Sequence, residues 1–218
     1  MTRKRRLKAG IALLAGLSAL AVGWLVFLTF IAPQSGWRLP DQWQGQNLNH
    51  PSTVGQEILD GAVSYLDTNP RYDGSKIFAG GVPTDGTGVC TDVVWYGAKA
   101  AGMDLRTLVD EDRHADPAAY AATAPAGEQP NADIDYRRVR NLIVYFNRHA
   151  QALTTDKSDI EAWQPGDIAV FREHVGVISD RRGADGVPFV IHHEGGLMNR
   201  FEKDVLNERE ILGHYRLG

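Results

Sequence analysis

The chain has 218 residues, 43% of them hydrophobic, with 23 basic and 27 acidic side chains and a net charge of −4. That content supports one domain with a real core plus a further piece at one end. The acidic balance argues against nucleic acid or other polyanions as partners, and the single cysteine, Cys90, excludes any disulfide within the chain.

The further piece is the amino terminus. Arg3, Lys4, Arg5, Arg6 and Lys8 precede an uncharged run over residues 11–32, long enough as a helix to span a hydrocarbon core. Pro33 directly follows Ala32, the best small residue for cleavage, so the run reads as an uncleaved signal anchor, with a cleaved signal peptide as the alternative. The basic cluster keeps residues 1–10 cytoplasmic. Residues 33–50 are then a linker off the membrane, and residues 51–218 form an extracytoplasmic domain. Without the five cytoplasmic basic residues, 18 basic against 27 acidic side chains leave a net charge of −9 outside. An unpaired thiol in an oxidising compartment asks for a chemical reason.

The first helix of the domain is expected after Pro51 and Ser52, with Thr53 and Gln56 as a capping box and an apolar face of Val54, Ile58, Leu59, Ala62, Tyr65 and Leu66. Turn signals at Asn69-Pro70 and Asp73-Gly74 end it. A glycine-rich loop, residues 80–88, leads into a second helix that begins at Cys90. Its small face of Val94, Gly97, Ala98 and Ala101 suits close packing on a sheet, and Gly102 suits its C-terminal end. Residues 104–112 read as a short helix and 115–131 as a polar loop. Residues 134–153 read as a long helix with a stripe of Val139, Leu142, Ile143, Phe146, Ala150 and Leu153, while Arg137, Arg138, Arg140 and Arg148 read as a solvated face. Beyond Pro165-Gly166 the pattern becomes β, with strands expected at 167–171, 174–179, 187–193 and 211–217. Helices first and antiparallel strands second imply an α+β fold.

A cysteine at a helix start meets unpaired N–H groups and a partial positive charge, both of which favour the nucleophilic thiolate. A small buried thiol is the alternative reading. Thiol catalysis also needs a base and a group that orients the base. Of the seven histidines, His174 opens one strand, and His192 and His193 close the next. If those strands pair as a hairpin, His174 stands beside one of the two, and strand alternation allows only one of them to share its face. Tyr72, Asp92 and His193 are the further candidates for substrate or oxyanion contacts. A packed Tyr72 is the plainer reading of that residue. Asp92, one turn from the thiol, is more simply a helix N-terminal carboxylate bound to backbone N–H groups or an arginine. Zinc held by Cys90, His174, His192 and His193 is the rival chemistry. It lacks C-x-x-C or H-x-x-x-H spacing, and no metal or cofactor is expected.

The order of a Cys-led helix, a Pro165-Gly166-Asp167-Ile168 strand, a His174-Val175-Gly176-Val177 strand and a strand ending at Ile191-His192 resembles the papain-like fold of NlpC-type cell-wall cysteine peptidases. Within that superfamily, residues 88–94, Asp104-Leu105, Ile134-Asp135 with Arg137-Arg138-Val139, and Gly213-His214-Tyr215-Arg216 are similar to an exported bacterial family, domain of unknown function 1287. The resemblance implies a Cys-His-polar triad acting on peptide or amide bonds of the cell wall. By position, Cys90 matches the nucleophile, His174 the base and His192 the orienting residue. Tyr96, Asp110, Tyr136 and Arg140 depart from the family's pattern. The expected function is therefore a membrane-anchored extracytoplasmic cysteine hydrolase. A non-catalytic wall-binding domain on the same fold and a thiol-dependent acyl or peptidyl transferase are the alternatives. The substrate partner is a cell-wall peptide, and the oligomeric state is left open.

Overall fold

A computed structural model describes residues 49–195 and 201–218. The expected anchor over residues 11–32 and its basic flank lie outside the described residues. Among the described residues no helix is long and apolar enough to cross a membrane.

Helix α1 (Thr53–Asp67) is capped one residue earlier than expected. The Ser52 hydroxyl accepts the Gly55 N–H at 2.9 Å, and Gln56 donates to Asp60 instead of reaching back to the cap. Its buried face contains Ile58, Leu59, Ala62, Tyr65 and Leu66, as the 3.6-residue period predicts. A two-residue parallel ribbon follows, pairing β1 (Arg71–Tyr72) with β2 (Thr87–Gly88). Helix α2 (Cys90–Ala100) comes next. Its small face packs on α1, and the helix also lies against the sheet, as the sequence suggested. A Cβ on Gly97 would sit 2.7 Å from the Ile58 carbonyl oxygen, so the two helix backbones meet where only glycine fits.

Helix α3 (Leu105–Ala115) runs longer than expected, and the stretch read as polar loop contains a short helix, α4 (Pro117–Ala121). Asp116 separates them by accepting the Ala119 N–H, with Pro117 in the first turn, where its missing donor costs nothing. The long helix expected over 134–153 divides in three: a 3₁₀ turn (Asp135–Arg137), α5 (Val139–His149) and strand β3 (Gln151–Ala152). The Asp135 carboxylate draws the turn tight by accepting the Asn131 N–H at 2.7 Å and pairing with Arg113 and Arg138. At the other end, Gln151 and Ala152 pair as a strand with Arg216 and Tyr215.

The remaining elements are β4 (Ile168–Phe171), β5 (His174–Arg182), β6 (Pro188–Ile191), β7 (Glu202–Lys203), α6 (Val205–Glu208) and β8 (Ile211–Arg216). Their sheet has the order β3-β8-β4-β5-β6-β7, antiparallel at each pairing. The fold is α+β, as the sequence predicts. Strand alternation divides the core between the two faces of the sheet. Ile168, Val170, Val175, Val177 and Ile191 pack with the helices, while Ala169, Phe171, Ile178 and Val190 pack with Trp163, Val205 and Leu206.

A polar brace ties β4 to β8. The buried Asp167 carboxylate accepts from the Gln164 N–H at 2.8 Å and from Arg216 at 2.7 Å through both Nε and Nη2. It also meets His214 Nε2 at 2.9 Å. His214 Nδ1 lies 2.7 Å from the Thr154 carbonyl oxygen, and Trp163 stacks on the imidazole with ring centres 3.7 Å apart. The Pro165-Gly166-Asp167 and Gly213-His214-Tyr215-Arg216 segments thus meet each other.

Candidate functional site

Cys90 is the first residue of α2 and is 5% exposed. The helix start is fixed from beneath by Asp92, whose carboxylate accepts the Val89 N–H at 2.8 Å and a bidentate pair from Arg137 at 2.8 and 2.9 Å. Asp92 is fully buried. It therefore holds the helix end, the plainer of its two sequence readings. Arg137 is correspondingly not part of a solvated face. Its neighbours are paired too: Arg138 with Asp135, Arg140 with Glu128, and Arg148 with Asp112 and Asp116.

The β5–β6 hairpin forms as expected, with Val177 opposite Ile191. It brings His174 to His192, and His174 Nε2 lies 2.9 Å from His192 Nδ1, the rings perpendicular. Gly176 makes this possible, because a Cβ there would lie 3.2 Å from the His192 Cβ and 2.4 Å from Val190. His193 points away. Its ring packs edge-on against Tyr72 at 5.0 Å and Phe201 at 5.3 Å. The hairpin thus separates the two adjacent histidines by strand alternation.

Burial dominates the electrostatics. It pushes the Cys90 thiol up to about 11, with the Asp92 charge adding to it; the backbone N–H groups of Val175, Thr91 and Cys90 act the other way. A helix start alone favours a thiolate, but loss of water outweighs it here. The resting sulfur is therefore a thiol. Burial likewise lowers His174 to about 4, with Arg209 and Lys203 contributing, and His192 to about 2, with His174, Lys203 and Arg209 contributing. It lowers His193 to about 4, the Pro70 backbone opposing. All three imidazoles are neutral near pH 7. Tyr72, 40% exposed, has its phenol raised by burial and next by the sulfur of Cys90, which puts it among the groups around that residue.

The tautomers of the two rings are coupled by the His174–His192 contact. For His174 to accept a proton at Nδ1, Nε2 must carry its hydrogen and donate it to His192 Nδ1. His192 then carries its hydrogen on Nε2, which is buried and has no partner among the described residues. A buried donor left unpaired costs about 1–3 kcal/mol.

Three groups that the sequence did not single out stand beside this pair. Glu194 follows the two histidines and bonds Lys203 of β7 and Arg209 beyond α6. One ligand atom from each of His174, His192 and Glu194 lies within 4.8 Å of the others, the spacing of a metal site. The His174–His192 contact and the Lys203 and Arg209 bonds to Glu194 already engage these groups. The one hint in the sequence was the run His192-His193-Glu194; nothing in it announced Lys203 or Arg209. A cleft of about 630 Å³ lies elsewhere, between α1 and α2 beside Pro70 and Thr87, and contains none of Cys90, His174 or His192.

The domain is thus an α+β unit that sets a lone cysteine on a helix start near a histidine pair on a hairpin. Residues 59–217 match the family described as a domain of unknown function, DUF1287, and the chain belongs to that family. It is 36% identical over 167 residues to the uncharacterized protein YijF of Escherichia coli K12, an alignment covering 73% of this chain and 80% of that one. No solved structure matches. Tyr136 donates to the Gly81 carbonyl at 2.8 Å, Tyr96 stacks on Tyr65, and Arg140 pairs with Glu128.

Proposed function

We propose that the protein is an extracytoplasmic cysteine hydrolase of papain-like, NlpC-type architecture, anchored through residues 11–32, that cleaves a peptide or amide bond of cell-wall peptidoglycan. Cys90 is the nucleophile, His174 the base and His192 the orienting group. The observation that carries this reading is the 2.9 Å contact between His174 Nε2 and His192 Nδ1. One nitrogen of His174 is committed to a partner, which leaves Nδ1 for proton exchange on a hairpin whose Val175 N–H acts on the cysteine sulfur.

The pair rests neutral, so the proton moves as the bond forms. The Cys90 proton passes to His174 Nδ1 while sulfur attacks the carbonyl carbon. The C–N bond then breaks, the leaving amine takes the proton from His174, and a thioester remains. Water gives a proton to the same nitrogen and adds to the thioester carbon. The C–S bond then breaks, His174 returns its proton to the sulfur, and the carboxylic acid departs with the thiol restored. Backbone N–H groups at the helix start supply the oxyanion donors.

The test is release of peptidoglycan fragments by the full chain, identified by mass spectrometry and repeated with Cys90→Ala and His174→Ala. Release by the wild type alone is expected. Equal release by Cys90→Ala would sink the hydrolase reading.

A further inference from the structure

The groups around Glu194 suggest what the substrate carries. Lys203 and Arg209 both bond the Glu194 carboxylate, from β7 and from the segment after α6. Two cations against one carboxylate leave the group with a charge of +1. Their side chains are 23% and 36% exposed, whereas His174 and His192 are 4% and 0% exposed. The positive charge is therefore open to solvent where the histidines are not. Donors remain as well. A lysine ammonium has three hydrogens and a guanidinium five, and the Glu194 carboxylate has only two oxygens to receive them. A guanidinium beside an ammonium is suited to a carboxylate, which accepts a pair of such bonds in one plane.

The location relative to the chemistry is equally specific. A Glu194 oxygen lies within 4.8 Å of nitrogens of His174 and His192. The charge acting on the Cys90 sulfur is that of Asp92, whereas Lys203 and Arg209 act on His174 and His192. In the proposed reaction the acyl part of the substrate becomes bonded to sulfur, and the leaving amine takes its proton from His174. Groups on the histidine side therefore meet the leaving part.

We infer that Lys203 and Arg209 bind a free carboxylate on the leaving part of the substrate, with Glu194 as the built-in carboxylate that holds the two cations in place. The inference rests on the hydrolase reading and narrows it: the bond cut is the one that releases a terminal amino acid or short peptide with its carboxylate free. A single substrate carboxylate brings the group of two cations and two anions to neutrality.

Wall stem peptides of three, four and five residues, each as the free acid and as the C-terminal amide, test this directly. With the full chain, the acids are expected to be cleaved with a kcat/KM at least about tenfold above the amides, the size of one charge-assisted hydrogen bond. In Lys203→Gln with Arg209→Gln that preference is expected to fall towards one. The ratio compares two substrates on the same histidines, so a change in imidazole basicity caused by the substitutions cancels. Equal kcat/KM for acid and amide in Cys90-dependent cleavage overturns the inference and leaves the hydrolase reading standing. If no peptide is cleaved, binding of the same pairs to Cys90→Ala by calorimetry decides separately. Tighter binding of the acids upholds the carboxylate site, and equal binding refutes it.

Discussion

Two buried histidine clusters in the sheet are built on opposite principles. At the β4–β8 brace, each nitrogen of His214 faces an acceptor, Asp167 on one side and the Thr154 carbonyl on the other, with Trp163 stacked on the ring. At the β5–β6 hairpin, His174 and His192 bond only each other among the described residues, and His192 Nε2 is left with nothing. Both clusters are nearly sealed from water. A polar group that has lost its water and found full replacement stabilises a fold, while one that has not is a standing cost. The difference separates a histidine that braces the scaffold from a pair that, on the proposed reading, belongs to the site.

This contrast can be broken by substitution. The largest effect is expected at Asp167→Ala, which strands Arg216 and a fully buried His214 without their shared carboxylate. A loss of about 3 kcal/mol or more in unfolding free energy is expected, by analogy with other broken buried pairs, read from urea midpoints. Any fall in activity there should follow the fraction unfolded. His192→Ala should cut kcat/KM about ten- to a hundredfold in the folded fraction, with a smaller stability loss than Asp167→Ala, because His174 loses its orienting partner. His192→Asn should recover part of the rate, since its amide oxygen can accept from His174 Nε2. Equal activity in His192→Ala and the wild type would remove the distinction between the clusters.

A smaller effect sharpens it by pH. His174 and His193 are held near 4 and His192 near 2 in the folded chain, against about 6.5 when unfolded. The unfolded chain therefore binds protons first as the pH falls. The contribution of these groups is complete above about pH 6.5 and is lost progressively towards pH 4. Urea midpoints should decline over that window, and less steeply in His193→Asn. A midpoint that does not change between pH 7 and pH 4.5 would mean that the imidazoles are not held neutral by burial.

Much of this was legible in the chain. Period-2 alternation placed His174 on one strand and His192 and His193 on the next, and the same alternation required that only one of them meet His174. The apolar faces of α1 and α5 and the order of helices before strands gave the α+β class. What was hidden depended on long-range partners. Asp92 finds Arg137 45 residues away, and no local pattern marks an arginine as an inward-facing one. The helix over 134–153 has an unbroken apolar stripe, so its division by Asp135 and by pairing with β8 could not be read from periodicity. The helix-start argument for a thiolate was sound locally and failed because burial is a property of the assembled site. Several of the segments on which the family likeness rests, Thr91-Asp92, Arg137-Arg138, Asp167 and His214-Tyr215-Arg216, serve as braces, so likeness there speaks for the scaffold more than for the chemistry.

The burial of Cys90 also determines how the protein ages. Oxidation of cysteine to sulfenic acid and beyond proceeds through the thiolate and needs access to the sulfur. A side chain 5% exposed and held as a thiol until about 11 offers neither. The lone sulfur is thus sheltered from peroxide and from mixed disulfides in the resting state. On the proposed mechanism it would become reactive when a bound carbonyl draws its proton onto His174, so substrate occupancy, more than the redox state of the surroundings, would set the lifetime of the thiol.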